Sequence, residues 1–329
     1  NDCVLDSIIE AFDFKWNSIF DFKDQTEVSL NECEFIDCES LKYIISTSSN
    51  LFKFENSKIK YSSDLLNAGL DIVSKESVTI NLCNFSKCAY KEPIQGTQGG
   101  AIHLTTSADK TNCIIDIKNC RFEECHADFG GGIYYETEIP TIQFKLTECQ
   151  FVGNTADTAG GSVYFKSIQG EVTKCTFINN NGKKGSDFYY DCNVKEASSV
   201  PFNKEGLTIS GCVFEQEKEH SSLIHIITKE NAFFNFNQNN ITISNNVTYI
   251  FDSDEYTTLL GNWSFSGNRL DAPNISIKTE TAVELPVDCG QGFLCDLPFI
   301  PSCPPGGRCD IDSSSGDEDE NKITFISIN

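Results

Sequence analysis

The apolar positions of this chain recur in a phrase rather than a helical stripe. The phrase is an aliphatic residue, then Cys three positions on, then Phe two further. It occurs as Leu30, Cys33, Phe35 and as Ile80, Cys83, Phe85. It returns as Ile117, Cys120, Phe122, as Leu146, Cys149, Phe151 and as Val172, Cys175, Phe177. Ile209, Cys212, Phe214 and Leu260, Trp263, Phe265 are weaker copies. Cys and Phe two apart share one face of an extended strand. A column of Phe is too apolar to stay wet, so that face is inward. The residue between them varies and is mostly polar (Glu34, Asn84, Arg121, Gln150, Thr176, Val213, Ser264), as an outward position requires.

Five residues after each Cys stands Cys38, Cys88, Cys125, Asn154, Asn180, Glu217 or Asn268, a turn position suited to short polar side chains. A second strand is marked by Gly100-Ala101-Ile102-His103, Gly131-Gly132-Ile133-Tyr134 and Gly161-Ser162-Val163-Tyr164. The Cys positions are 50, 37, 29, 26, 37 and 51 residues apart. The two long gaps are about twice the shortest, so each is expected to hide a degenerate copy. Phe54–Ser62 and Ile241–Phe251 are the candidates. A rung of roughly 25–30 residues without 3.6-residue periodicity predicts an all-β solenoid, a right-handed parallel β-helix.

The Cys-x-Phe-x-x-Asn phrase with Gly-Gly-small-aliphatic resembles the repeats of polymorphic-membrane-protein-like surface proteins of chlamydiae and protists. The resemblance covers about residues 28–270. It implies a right-handed β-helix and a place at the cell surface. The chain departs from the bacterial proteins in having no C-terminal membrane barrel, and from the simplest phrase in placing Cys where Asn is usual.

The flanks read differently. Residues 1–24 hold Cys3, Trp16 and a dense apolar set, and are expected to cap the solenoid of residues 25–285. Residues 286–311 carry five prolines with Cys289, Cys295, Cys303 and Cys309, which suggests a small disulfide-stapled module. Residues 312–321 form an acidic linker. Residues 322–329 read as a strand whose Ile323, Phe325, Ile326 and Ile328 are suited to pair with a sheet edge, in the same molecule or in another copy.

Composition narrows the partners. The net charge is −23 and the only arginines are Arg121, Arg269 and Arg308, which argues against nucleic acid. No segment reaches the length of apolar chain that spans a bilayer. Sixteen cysteines without Cys-x-x-Cys pairs suggest disulfides and an oxidising compartment rather than zinc. Equivalent positions on neighbouring rungs lie within disulfide reach, which makes Cys88–Cys125 a candidate bridge. The inward Cys column fits either disulfides or reduced core thiols. Asn84, Asn240, Asn246, Asn262 and Asn274 open Asn-x-Ser/Thr sequons, so N-linked glycans are expected. The absence of methionine suggests a processed start.

Catalytic chemistry is not evident. There is no Asp-Asp pair and no Gly-His-Gly. His103 and His225 occupy the slot filled elsewhere by Tyr134, Tyr164 and Tyr189, and read as repeat residues. Tyr134, Tyr135, Tyr164, Tyr189 and Tyr190 form an expected outward ladder that would either stack sugar rings or pack on the sheet. Asp252, Asp254 and Glu255 give only weak support for calcium, because the loop lacks an EF-hand glycine and terminal glutamate. No other cofactor or metal is expected. The expected role is an extracellular or cell-surface structural and adhesive glycoprotein that self-associates. The alternative is a monomeric protein that binds or processes carbohydrate, such as host or matrix glycans.

Overall fold

In the computed structural model the phrases become strands of a parallel β-solenoid. The structure describes residues 18–38, 42–61, 68–90, 96–106, 113–137, 143–166, 169–191, 206–217, 220–227, 233–243, 247–252 and 262–271, and the short strands Asp2–Leu5, Ile8–Glu10 and Phe293–Cys295. All regular elements among them are strands. They form three sheets of 16, 11 and 3 strands, and every pairing is parallel.

One complete rung shows the plan. Ile114–Lys118 runs along one face of the large sheet, and Asn119 turns the corner. Arg121–Glu123 belongs to the 11-stranded sheet, and Glu124 turns the next corner. His126–Phe129 belongs to the small sheet, Gly130 turns the third corner, and Ile133–Glu136 returns to the large sheet. In the earliest rungs the two faces of the large sheet are one long strand, as in Ala68–Asn81, which pairs with both Ile102–Thr106 and Ile114–Lys118.

The corners explain the spacing of the phrase. The residue before each inward Cys adopts a left-handed conformation: Glu32, Asn56, Leu82, Asn119, Glu148, Lys174, Gly211, Gln238 and Gly267 all have φ between 49° and 64°. Such a residue bends the chain from one sheet into the next within one step. Nonglycine residues pay about 1–2 kcal/mol for it, a cost met by burying the strands on either side.

The core is a set of columns along the solenoid. Phe35, Ile59, Phe85, Phe122, Phe151, Phe177, Phe214 and Ile241 occupy one inward position on successive strands and are all essentially inaccessible. Four phenylalanine pairs stack face to face, from Phe85–Phe122 at 5.1 Å to Phe177–Phe214 at 5.0 Å between centroids. Val78/Ile80, Ile115/Ile117, Phe144/Leu146 and Leu207/Ile209 face them across the interior.

Several sequence readings change. The first hidden copy is where it was expected: Phe54, Ser57 and Ile59 take the aliphatic, Cys and Phe places. The second is Phe236, Asn239, Ile241, not a phrase within 241–251. The last copy is shifted. Trp263 and Phe265 align with Phe234 and Phe236 in the aliphatic columns, so Asn268 and Leu270 hold the Cys and Phe places. The aromatic residues at 263 and 265 imitate the phrase two residues out of step, and only pairing resolves the register. At the turn position Gln216, not Glu217, is the buried residue. Tyr135 and Tyr190 point inward, fully buried, and leave the expected outward ladder. The boundary drawn at residue 24 falls inside Ser18–Asn31, and Asp2–Leu5 already pairs with that strand in register. Phe293–Cys295, within the expected stapled module, pairs with Asn268–Asp271.

Candidate functional site

Three residue columns carry the polar chemistry of the molecule. Two are internal. In the first, Cys33, Ser57, Cys83, Cys120, Cys149, Cys175, Cys212, Asn239 and Asn268 succeed one another just past the left-handed corner. The corner aims each backbone N–H along the solenoid, where no strand partner lies opposite. The side chain one rung further accepts it. Cys33 N–H donates to Ser57 Oγ at 2.9 Å, and Cys120, Cys149 and Cys175 N–H donate to the next Sγ at 3.5, 3.4 and 3.4 Å. Cys212 N–H donates to Asn239 Oδ1 at 2.9 Å, and Asn239 N–H to Asn268 Oδ1 at 3.0 Å. Thiol, hydroxyl and amide serve alike, so the position selects a small acceptor rather than sulfur as such.

Ten buried cysteines between Cys33 and Cys212 are not joined by disulfides in the structure. Burial pushes the Cys83, Cys149 and Cys212 thiols well up, which keeps them protonated. Cys88 and Cys125, expected as a candidate bridge, follow the paired strands Asn84–Ser86 and Arg121–Glu123 at matching places, both fully buried and not joined in the structure. Burial is the leading reason that the Cys88 pKa is raised. Proximity was legible from spacing; bond formation needs an oxidant as well.

The second internal column follows the next corner. Cys125 N–H donates to Asn154 Oδ1 at 3.0 Å, and Asn154 N–H to Asn180 Oδ1 at 2.9 Å. Asn154 and Asn180 Nδ2 donate back to Phe122 O and Phe151 O at 3.0 and 3.1 Å. Asn180 Nδ2 also reaches Asp187 Oδ1 at 2.9 Å, as does Gln216 Nε2 at 3.4 Å. Asp187 is fully buried, and its Oδ2 has no hydrogen-bond partner. Burial raises its pKa to about 7, against the lowering effect of those two amide donors. The composition-led reading missed Asp187; its place in the slot of Gly132 and Ser162 was the available signal.

The third column is outward. Register places Asp71, His103, Tyr134, Tyr164, Tyr189, His225 and Asp252 side by side on successive strands, a palindrome of residue types. The rings stack continuously. His103–Tyr134 centroids are 5.6 Å apart, Tyr134–Tyr164 4.9 Å, Tyr164–Tyr189 4.5 Å and Tyr189–His225 5.1 Å. Tyr43 stacks on His103 at 6.3 Å. Because the rings cover one another's faces, they present edges to the outside. Tyr134, Tyr164 and Tyr189 are 3%, 9% and 7% exposed, and Phe129, Ala159 and Ile227 pack against them. This is sheet-face packing, not an open platform for sugar rings.

A His–Asp contact and a Lys–Glu ion pair flank the stack. His103 Nδ1 lies 2.7 Å from Asp71 Oδ1, and Lys166 Nζ lies 2.5 Å from Glu136 Oε1. Tyr134 Oη donates to Glu136 Oε2 at 2.7 Å. Burial acts to raise the Glu136 pKa, but Lys166 and Tyr134 outweigh it and hold it below the ordinary carboxylate value. Tyr134 is pushed up, first by burial and then by Glu136. His126, beside Asp157 at 3.2 Å, opens a strand of the small sheet.

The remaining predicted residues are placed as follows. Asn84 and Asn240 are exposed in strands of the 11-stranded sheet. Asn262 opens the strand Asn262–Ser266, and Cys295 ends Phe293–Cys295. Asn246, Asn274, Cys289, Cys303, Cys309, Asp254 and Glu255 lie outside the described residues, as do Ile323, Phe325, Ile326 and Ile328. Among the described residues no group of three or more His, Cys, Asp or Glu is arranged to hold a metal ion. No described helix is long and apolar enough to cross a membrane.

Fold and columns together define a parallel β-solenoid with polar ladders at its corners. No protein-family model, curated protein or solved structure matches the chain.

Proposed function

We propose that this chain is an extracellular or cell-surface structural and adhesive glycoprotein that associates end to end. One observation carries the reading: every strand pairing among the described residues is parallel, so each sheet stacks its strands in one direction and the two ends of the stack are unlike. Open strand edges template further strands. Because every rung is parallel, an end-to-end contact is heterologous, and such contacts propagate into filaments unless they close. The apolar, β-branched sequence of residues 322–329 is suited to the same purpose. The charge of −23 opposes association at low ionic strength.

The test is sedimentation and negative-stain electron microscopy across protein concentration and salt. Growing linear assemblies, lost on deleting residues 322–329, are the expected result. A monomer that persists at high concentration and physiological salt would overturn the reading.

A second reading draws on one feature. Asp71, His103, Tyr134, Glu136 and Lys166 share one outer face, and ionisable groups clustered on such a face suit carbohydrate processing. Turnover of polysaccharide that is lost on Glu136→Gln, with the fold intact, would favour it over the structural role.

A further inference from the structure

Five sequons are present in the chain, but register singles out two. Asn84 and Asn240 stand in one outward column of the 11-stranded sheet. Strand by strand that column reads Asn84, Arg121, Gln150, Thr176, Val213, Asn240. Five strand steps of about 4.8 Å separate the two asparagines by about 24 Å. Both side chains are exposed. Two residues on, Ser86, which is buried, and Thr242, which is exposed, complete the two sequons. Between them Arg121 donates to Gln150 Oε1 at 2.8 Å and pairs with Glu123 at 3.0 Å, and Val213 is the one apolar member of the column. The outward aromatic stack lies on a different sheet.

We infer that Asn84 and Asn240 are N-glycan acceptors, and that the outer face of the 11-stranded sheet is the sugar-coated face of the molecule. The inference rests on the extracellular reading above. The co-substrate is a lipid diphosphate-linked oligosaccharide. The asparagine amide nitrogen attacks the anomeric carbon, the C–N bond forms, the bond to the diphosphate breaks, and the amide gives up one proton. Lipid diphosphate is the leaving group.

The structure also sets the timing. In the finished rung Asn84 N–H donates to Ser57 O at 3.0 Å, Ser86 O accepts from Tyr61 N–H at 3.1 Å, and Asn240 N–H donates to Cys212 O at 2.8 Å. The sequons are then held in extended strand on both sides. Transfer therefore precedes closure of the rungs that hold them.

The test uses the full chain directed through a eukaryotic secretory pathway by an added signal peptide. Glycosidase release in heavy-oxygen water marks every asparagine that carried a sugar. Marks at both Asn84 and Asn240 are expected, each lost singly in Asn84→Gln and Thr242→Ala with secretion retained. Folded, secreted protein unmarked at both positions would overturn the inference. A refolded, unglycosylated chain is expected to accept no sugar from purified transferase, whereas the unfolded chain accepts it; equal transfer to both would overturn the timing. If the secreted recombinant carries both marks and protein from its natural source carries neither, the extracellular reading fails while the two acceptors stand.

Discussion

Asp187 makes the stability of this solenoid depend on pH in a defined direction. Its carboxyl is fully buried, with Asn180 and Gln216 donating to Oδ1. Ser162 Oγ, at the matching place one rung earlier, is also buried without a partner. No charged group is hydrogen-bonded to the carboxyl, so nothing compensates a negative charge there. Its pKa rises from 3.8 to about 7 on folding. Between those values the folded chain keeps a proton that the unfolded chain has released. Stability therefore falls as pH rises through this window and levels off above about 7. A shift of about three pH units corresponds to about 4 kcal/mol. Asp187→Asn keeps the shape and the acceptor oxygen and cannot ionise. Its stability relative to wild type is expected to be near zero at about pH 4 and to reach about 4 kcal/mol in the mutant's favour at about pH 8. The assay is urea unfolding of both proteins across that range, followed by circular dichroism. Solenoids unfold in segments, so amide exchange at Asn154 and Asn181 provides a local readout. All other carboxylates titrate alike in the two proteins, and the difference isolates position 187. Parallel pH profiles for the two proteins would refute the argument.

Three further outcomes follow from the corners and ladders. Cys149→Ser is expected to be nearly neutral, as Ser57 is in its own rung, whereas Cys149→Ala strands the Cys120 N–H and costs about 1–3 kcal/mol; equal denaturation midpoints for the two would show that no acceptor is needed. Gly161→Ala places a Cβ 2.1 Å from Ser186 O, a backbone atom held in the next rung, and is expected to lower stability by about 1–3 kcal/mol or more, read as a drop of several degrees in thermal midpoint. Leu82 is 55% exposed at φ 55°, so Leu82→Gly is expected to relieve left-handed strain and stabilise by about 0.5–1 kcal/mol in chemical denaturation.

The sequence by itself determined the solenoid, because the inward column is written into the spacing. Cys and Phe two apart, an aliphatic residue three before and glycine at the third corner leave few other ways to bury so many aromatics. It also marked Phe54–Ser62 as a hidden rung, since the gap of 50 residues between Cys33 and Cys83 is about twice the shortest spacing. Tertiary structure decided what depends on pairing across rungs. Trp263 and Phe265 look like Cys and Phe until the strand beside them shows that they align with Phe234 and Phe236. Tyr134 and Tyr135 are equivalent on paper; the pleat sends one to the outer stack and the other to the core. The same holds for Asp187, an unremarkable aspartate in the chain and an uncompensated acid in the fold. Which N–H it faces and which charges it lacks are set by residues 7 and 29 positions away, and local pattern carries no information about contacts made by stacking one turn on the next.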